Sequence, residues 1–229
     1  MSNKFNELAD KLGLKFKNFE LLKEALTHSS YLNDNPRWSS PHNERLEYLG
    51  DAILGLIVSE FLYLKFPDYN EELLTKLEAA LVNHQMLSKV GREISLQKYL
   101  MLSLGIKKDN ERGQEGILAD AMEALIGAVY LDLGLTETKR LIKNLVLKHL
   151  DEIIAKGLYQ NSKSLLQETI QEEKKVTPIY RILEESGPSH RKKFLVGVFL
   201  EEKLIGKGAG DSKQEAEMRA ADSALKNLK

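Results

Sequence analysis

Three acidic residues recur at helical spacing near the start of the apolar stretch HNERLEYLGDAILGLIVSEFLY, residues 42–63. At about 100° per residue, the side chains of Glu44, Glu47 and Asp51 project within roughly 60° of one another. Carboxylates that share a face with core residues are costly to desolvate unless a positive charge pairs with them. Because no Lys, Arg or His shares this face, the pattern predicts a bound cation. Oxygen ligands favour a hard metal such as Mg²⁺ or Mn²⁺ over zinc.

The elements that carry these carboxylates are predicted from apolar patterning. Residues 52–63 are almost entirely apolar, which predicts a helix buried in the core. A second apolar helix is predicted over residues 117–133, and it carries Asp120 and Glu123 one turn apart. In either helix alone, capping or solvated carboxylates would be an equally good interpretation. The same pattern in two apolar helices favours one shared metal site.

Composition limits the class of protein. The chain has 229 residues, 42% hydrophobic and 29% charged, which is typical of a soluble globular protein with one or two domains. The absence of Cys excludes disulfides and thiolate chemistry. We find no leader pattern and no membrane-spanning run, and we therefore expect a cytoplasmic protein without a membrane partner. The net charge of −1 gives no global basic field, so any nucleic-acid contact must rest on local patches.

The first part of the chain is predicted to be all-α, because no strand pattern occurs before about residue 178. Besides the two acidic helices, helices are expected over residues 4–30, 73–91, 93–104 and 136–154. Residues 105–116 form a polar loop with several glycines, and Gly157 is expected to end the last helix. We place the first domain at residues 1–155 and a linker at residues 156–161.

Residues 162–229 change in character, because strand patterns and turns lie between two helices. The predicted order is helix, three strands and helix, over residues 163–173, 179–184, 194–200, 203–207 and 212–227. This order predicts a small α+β domain, α-β-β-β-α, after the all-α domain.

These motifs resemble those of a known family. HNERLEYLGD, ILADAMEALIGAVYLD and LLKEALTHSSY (residues 21–31) resemble bacterial ribonuclease III, and the C-terminal segments LLQE, PSH and SKQEAE resemble a double-stranded RNA-binding domain. The resemblance implies a Mg²⁺-dependent endonuclease for double-stranded RNA, active as a homodimer without an organic cofactor. It implies products with 5′-phosphate and 3′-hydroxyl ends and short 3′ overhangs, and a role in processing ribosomal RNA precursors and other structured RNAs.

The resemblance also implies roles for the acidic residues. It places Glu47, Asp51, Asp120 and Glu123 around the metal, with Asp51 and Glu123 as catalytic residues. Glu44 is expected in the outer shell or at a subunit contact. Glu71 is expected near a second metal, although a carboxylate at a helix N-terminus is an equally good interpretation. The family usually has Ser where this chain has Gly116, so a weaker helix cap is expected there.

In the second domain the resemblance implies an RNA-binding surface, since such domains reach across two minor grooves of A-form RNA. The first helix would contact 2′-hydroxyls and base edges through Ser164, Gln167, Glu168 and Gln171. His190 would enter the next minor groove, and Lys213 would meet phosphates at a helix N-terminus. For the first helix alone, an ordinary solvated face is the alternative. The family commonly has a second Lys where this chain has Gln214, so one fewer phosphate contact is expected.

Two other functions are weighed against the nuclease. One is an RNA-binding protein whose first domain only dimerises, but such a scaffold has no use for four costly carboxylates. The other is an all-α metal phosphohydrolase acting on nucleotides, which would be expected to contain His-Asp metal pairs and would leave the second domain unexplained. The nuclease is the better interpretation.

Overall fold

A computed structural model of the chain describes residues 2–107, 114–159, 162–188 and 192–228. Its contacts divide the chain into two compact units, Met1–Tyr159 and Gln160–Lys229. The first unit is helical, and the second has three antiparallel strands between two helices, which confirms the predicted fold class. Within the described ranges, no helix combines the length and apolarity needed to cross a membrane.

Helices of the first unit pack around a central one. They are α1 (Ser2–Leu12), α2 (Phe19–Ala25), α3 (Ser29–Asp34), α4 (Glu44–Lys65), α5 (Glu71–Val82), α6 (His84–Glu93), α7 (Leu104–Lys107), α8 (Glu115–Leu145) and α9 (Leu150–Lys156). Helix α8 is the central one, because every residue from 118 to 129 except Asp120 is buried. Packing on nearly all sides thus explains the unusual apolarity of residues 118–129, whereas Leu131 beyond them is 53% exposed.

Helix α4 packs on α8 with only one of its two apolar faces. Leu54 and Val58 are fully buried, whereas Leu56 and Tyr63 on the other face are 63% and 71% exposed. The prediction that residues 52–63 are buried in the core is therefore wrong for that second face. Within a single chain the second face remains exposed to solvent.

Several predicted helix boundaries require correction. The helix predicted over residues 73–91 is divided at Asn83, whose side chain caps α6 by accepting a hydrogen bond from the Met86 backbone N–H at 2.9 Å. Asn therefore ends one helix and begins the next. In place of the short helix predicted over residues 93–104, the described residues contain only the 3₁₀ turn Leu96–Lys98 and the beginning of α7.

Helix α8 continues past the predicted end of its apolar stretch. A kink at Gly134 (φ 79°, ψ 178°) joins residues 117–133 to the following helix, and this positive φ is easiest for glycine. The closing helix predicted over residues 136–154 is interrupted by the 3₁₀ turn Leu147–His149 before α9. Gly157 ends α9 in the left-handed conformation, as predicted.

Gly116 does not cap helix α8, contrary to the prediction from sequence. The cap position is occupied by Gln114, and Gly116 is the second residue of the helix. Glycine at this position weakens the first turn through its backbone entropy rather than through a missing cap.

The second unit packs two helices on one face of a sheet. Its elements are α10 (Ser162–Lys174), β1 (Ile179–Ser186), β2 (Lys193–Leu200), β3 (Lys203–Gly210) and α11 (Lys213–Asn227). The strands are antiparallel in the order β1-β2-β3. Its separate core joins Leu166 and Ile170 of α10 to Val196 and Val198 of β2 and to the buried alanines of α11. Strands β1 and β3 extend two and three residues beyond their predicted ends.

Candidate metal centre and RNA-binding surface

Helices α4 and α8 cross in backbone contact, with a glycine on each side of the crossing. A Cβ atom at Gly50 would lie 1.8 Å from the carbonyl oxygen of Glu123, and one at Gly127 would lie 2.4 Å from the carbonyl oxygen of Leu46. Neither position can accept a side chain without moving a helix. Glu47 and Asp51 flank Gly50 in the sequence, so the crossing brings the acidic residues of the two helices to one place.

Three carboxylates meet at this crossing. One oxygen from each of Glu47, Asp120 and Glu123 lies within 4.8 Å of the other two. Oxygen ligands about 2.1 Å from one ion lie at most about 4.2 Å apart, so small side-chain rotations allow all three to bind one divalent cation. The structure thus brings together three of the four residues assigned to the metal from sequence.

The electrostatics of the cluster favour a bound cation. Glu123 is 8% exposed, and burial together with the nearby carboxylates of Asp51, Asp120 and Glu47 raises its pKa to about 8. Burial also raises the pKa of Glu47 and of Asp120. In the described part of the chain, no Lys or Arg forms an ion pair with the three clustered carboxylates. Apart from nearby histidines, these carboxylates therefore have no cationic partner among the described residues, and a hard divalent cation would neutralise their charge.

Asp51 and Glu44 lie beside the cluster rather than in it. Asp51 is exposed one turn after Glu47, and its charge contributes to the raised pKa of both Glu47 and Glu123. Glu44 is also exposed, with its Oε2 atom 3.7 Å from Nδ1 of His42, and its charge raises the pKa of Glu47. Both carboxylates are therefore electrostatically coupled to the cluster.

Glu71 is not brought into the cluster formed by the described residues of this chain. It is the first residue of α5, after the Asn70 cap, and its Oε1 atom accepts a hydrogen bond from the Thr75 hydroxyl at 3.3 Å. This is the helix N-terminal position that the alternative interpretation gave it, where the macrodipole favours a carboxylate. A role at a second metal stays a prediction.

Two histidines near the cluster were not predicted from sequence. The Nε2 atom of His84 lies 3.7 Å from Oδ1 of Asp120, and the charges of His84 and His28 both oppose the raised pKa of Asp120. The Nδ1 atom of His28 accepts a hydrogen bond from the Ser30 backbone N–H at 3.2 Å. Helices α4 and α8 carry no His on the acidic face. The two histidines come from other elements: His84 is the first residue of α6, and His28 precedes α3. Sequence periodicity within one helix could not reveal them.

The candidate RNA-binding residues of the second unit lie on the outer face of α10. Gln167, Glu168 and Gln171 are exposed and Ser164 is partly buried, while Leu166 and Ile170 between them are buried against the sheet. This placement makes the face accessible to a nucleic acid. It is equally compatible with the alternative of a solvated face, so these contacts stay predictions.

Lys213 is the first residue of α11, as predicted. Ser212 caps this helix by accepting a hydrogen bond from the Glu215 backbone N–H at 3.1 Å, and Nζ of Lys213 lies 3.7 Å from Oε1 of Glu185. Exposed ion pairs of this kind contribute little, so Lys213 can exchange its carboxylate for a phosphate. His190, the other predicted groove contact, lies outside the described residues.

Comparison with known proteins agrees with this architecture. The N-terminal unit matches the family described as ribonuclease-III-like over residues 18–150, and the C-terminal unit matches the double-stranded RNA binding motif over residues 162–228. Together with the acidic centre, these matches define a nuclease that binds double-stranded RNA.

Relatives of nearly equal length identify the family to which this nuclease belongs. The chain is 42% identical to ribonuclease 3 of Borreliella afzelii, covering 97% of this chain and 91% of that protein. It is 43% identical to ribonuclease 3 of Campylobacter fetus, covering 99% of each. A solved nuclease domain of ribonuclease III from Campylobacter jejuni, described for a flexible region involved in its dimer formation, is 38% identical with a TM-score of 0.54, over 61% of this chain and 96% of that chain. The chain belongs to the ribonuclease III family and is an endoribonuclease specific for double-stranded RNA.

Proposed function

We propose that the chain hydrolyses double-stranded RNA with Mg²⁺, for which Mn²⁺ can substitute. The observation that carries this proposal is the cluster of Glu47, Asp120 and Glu123, whose carboxylate oxygens lie within 4.8 Å of one another. A divalent cation would relieve the desolvation and repulsion that raise the pKa of Glu123 to about 8. The three oxygen donors fit the preference of Mg²⁺ for carboxylate ligands.

The acidic residues of α4 and α8 have different roles in this proposal. When bound, the cation supplies Lewis-acid polarisation of the phosphodiester. Asp120 and Glu123 from α8 and Glu47 from α4 would hold it, and the close helix crossing fixes their relative positions. We assign Asp51, exposed beside the cluster, and Glu123 to catalysis, and Glu44 to the outer shell. Water adds to phosphorus while the O3′ atom leaves with a proton, which yields a 5′-phosphate and a 3′-hydroxyl.

Incubation of the full chain with a long RNA duplex tests the proposal directly. We expect short duplex products with 5′-phosphate, 3′-hydroxyl ends and short 3′ overhangs when Mg²⁺ is present, and uncut duplex when the metal is chelated. Full cleavage in excess chelator, or ends with a 3′-phosphate, would contradict the mechanism. Precursors of ribosomal RNA and other structured RNAs are the cellular substrates that we propose.

We also propose that the chain acts as a homodimer through the exposed face of α4. Tyr48, Leu56 and Tyr63 on this face are 81%, 63% and 71% exposed, and several large exposed side chains on one side of a helix are typical of a protein interface. A two-fold dimer would supply two acidic centres, one for each strand of the duplex. Sedimentation equilibrium decides the point, because the mass should be twice the 26.0 kDa of one chain.

The outer face of α10 and the segment with His190 are proposed to recognise RNA through its minor groove. Changing Gln167 and His190 together to Ala should weaken duplex RNA binding and narrow the preference for RNA over DNA, because 2′-hydroxyl contacts are lost. The salt dependence of binding should stay that of the parent, since no phosphate contact is removed. Titrations of both duplexes at several salt concentrations measure these changes.

Lys213→Ala provides the matched control for that double variant. It should reduce the slope of log affinity against log salt by about 1 while leaving the preference for RNA unchanged. If the double variant instead keeps its RNA preference and loses salt slope, its residues contact phosphates and the groove assignment is wrong.

A further inference from the structure

His84, on helix α6, places its side chain beside the acidic centre that α4 and α8 form. Its Nε2 atom is 3.7 Å from Oδ1 of Asp120, and its charge also acts on Glu47. The backbone at this point is held by the Asn83 cap, which makes His84 the first residue of α6. The His84 side chain is 69% exposed, and that of Asp120 is 33% exposed, so the space between them is open to ions from solvent.

The separation of the two atoms suits two ligands of one ion. A nitrogen and an oxygen that are each about 2.1 Å from a metal, and about 110–120° apart, lie roughly 3.5 Å from each other. The observed 3.7 Å is within a small side-chain rotation of this distance. His84 does not belong to the group of three clustered carboxylates. Asp120 is therefore the residue that belongs both to that cluster and to the pair formed with His84.

We propose that His84 is a nitrogen ligand at the outer side of this metal centre, and that it raises the affinity of the centre for borderline cations such as Mn²⁺ and Co²⁺ while leaving the affinity for Mg²⁺ unchanged. Imidazole binds these transition metals well, whereas Mg²⁺ takes oxygen ligands almost exclusively. This inference rests on the proposed function, since it concerns the same centre. It adds a side chain that the carboxylate pattern of the family does not contain and that only the tertiary structure brings to the site.

Electron spin-echo measurements on the full chain with Mn²⁺ alone, without RNA, test the proposal. A histidine nitrogen bound to Mn²⁺ gives a ¹⁴N modulation, which we expect in the parent and not in His84→Ala. The Mn²⁺ dissociation constant of the variant should rise about 10-fold or more, while that of Mg²⁺, measured by competition, should change less than about 2-fold. His84 is exposed on a helix surface, and an unchanged circular dichroism spectrum will show that the variant is folded.

His42→Ala is the matched control. The Nδ1 atom of His42 also lies 3.7 Å from a carboxylate oxygen, but that oxygen belongs to Glu44, outside the cluster. This variant should retain the ¹⁴N modulation and the Mn²⁺ affinity of the parent. Equal losses in both variants would show a general charge effect and overturn the proposal.

Other results separate this inference from the proposed function. Tight Mn²⁺ binding without ¹⁴N modulation in the parent would overturn the role of His84 and leave the carboxylate centre intact. Modulation that survives in His84→Ala would assign the nitrogen to another histidine, such as His28, and would also overturn it. Absence of any Mn²⁺ or Mg²⁺ binding would contradict both this inference and the proposed metal centre.

Discussion

Glu123→Gln is expected to lower metal-dependent cleavage of duplex RNA by more than about 100-fold, the upper range for changes that only orient a metal ligand. The substitution preserves the shape of the side chain but removes the negative charge with which Glu123 would bind the cation. Duplex binding should change little, because the double-stranded RNA binding motif occupies the other unit, residues 162–228. Initial cleavage rates and binding isotherms on one RNA duplex measure the two effects.

The same variant has a second signature in its pH dependence. Because burial and neighbouring carboxylates raise the pKa of Glu123 from 4.5 to about 8, the metal-free folded state retains a proton that the unfolded state has released. Stability of the metal-free protein should therefore fall as pH rises from about 4.5 to 8 and level off above that. Glu123→Gln lacks this titration and should lose less stability over the same range. In the parent, metal must displace the proton, so metal affinity should rise with pH up to about 8.

Two results would contradict this assignment. Cleavage by Glu123→Gln within tenfold of the parent would show that its charge is not needed. A parent and variant whose metal-free unfolding temperatures vary identically with pH would show that Glu123 does not hold the proton. Loss of duplex binding in the variant would instead indicate that the change disturbs the fold.

Gly50→Ala should destabilise the first unit by at least about 3 kcal/mol, the upper range for overpacking a core. The new Cβ atom would lie 1.8 Å from the carbonyl oxygen of Glu123. Because this oxygen belongs to the backbone of α8, it can move only if the helix moves. The helices must separate, which moves Glu47 away from Asp120 and Glu123. Metal binding and cleavage should fall together with stability. Thermal unfolding should show a decrease of roughly 6–12 °C in Tm.

Gly55→Ala is the control for this prediction, since it makes the same change in the same helix. There the nearest atom to a new Cβ is Oε1 of Glu78 at 3.6 Å, an ordinary contact with a flexible side chain. Alanine in a helix interior is favoured over glycine by about 0.5–1 kcal/mol, so Gly55→Ala should be neutral or stabilising. If Gly50→Ala were also neutral, the close crossing would not be what positions the carboxylates.

The two-domain fold class and the pair of acidic helices could be predicted from the sequence alone. Both follow from local patterns: residues 52–63 and 117–133 are apolar over lengths that only helices use, and strands after residue 178 alternate with turns. The carboxylates were visible because Glu47, Asp51, Asp120 and Glu123 interrupt apolar faces where charge is costly. Such signals need only a few neighbouring residues to be recognised.

Which atoms share the site depends instead on how the helices pack against one another. Periodicity within one helix reports side-chain direction but not which other helix lies opposite, so it could not show that His84 of α6 lies 3.7 Å from Asp120. It also could not separate Glu71, at the start of α5, from the cluster, or show that one apolar face of α4 is exposed. Gly50 and Gly127 are ordinary helix residues in the sequence. Their meaning depends on two backbones in contact, which is a property of packing rather than of local pattern.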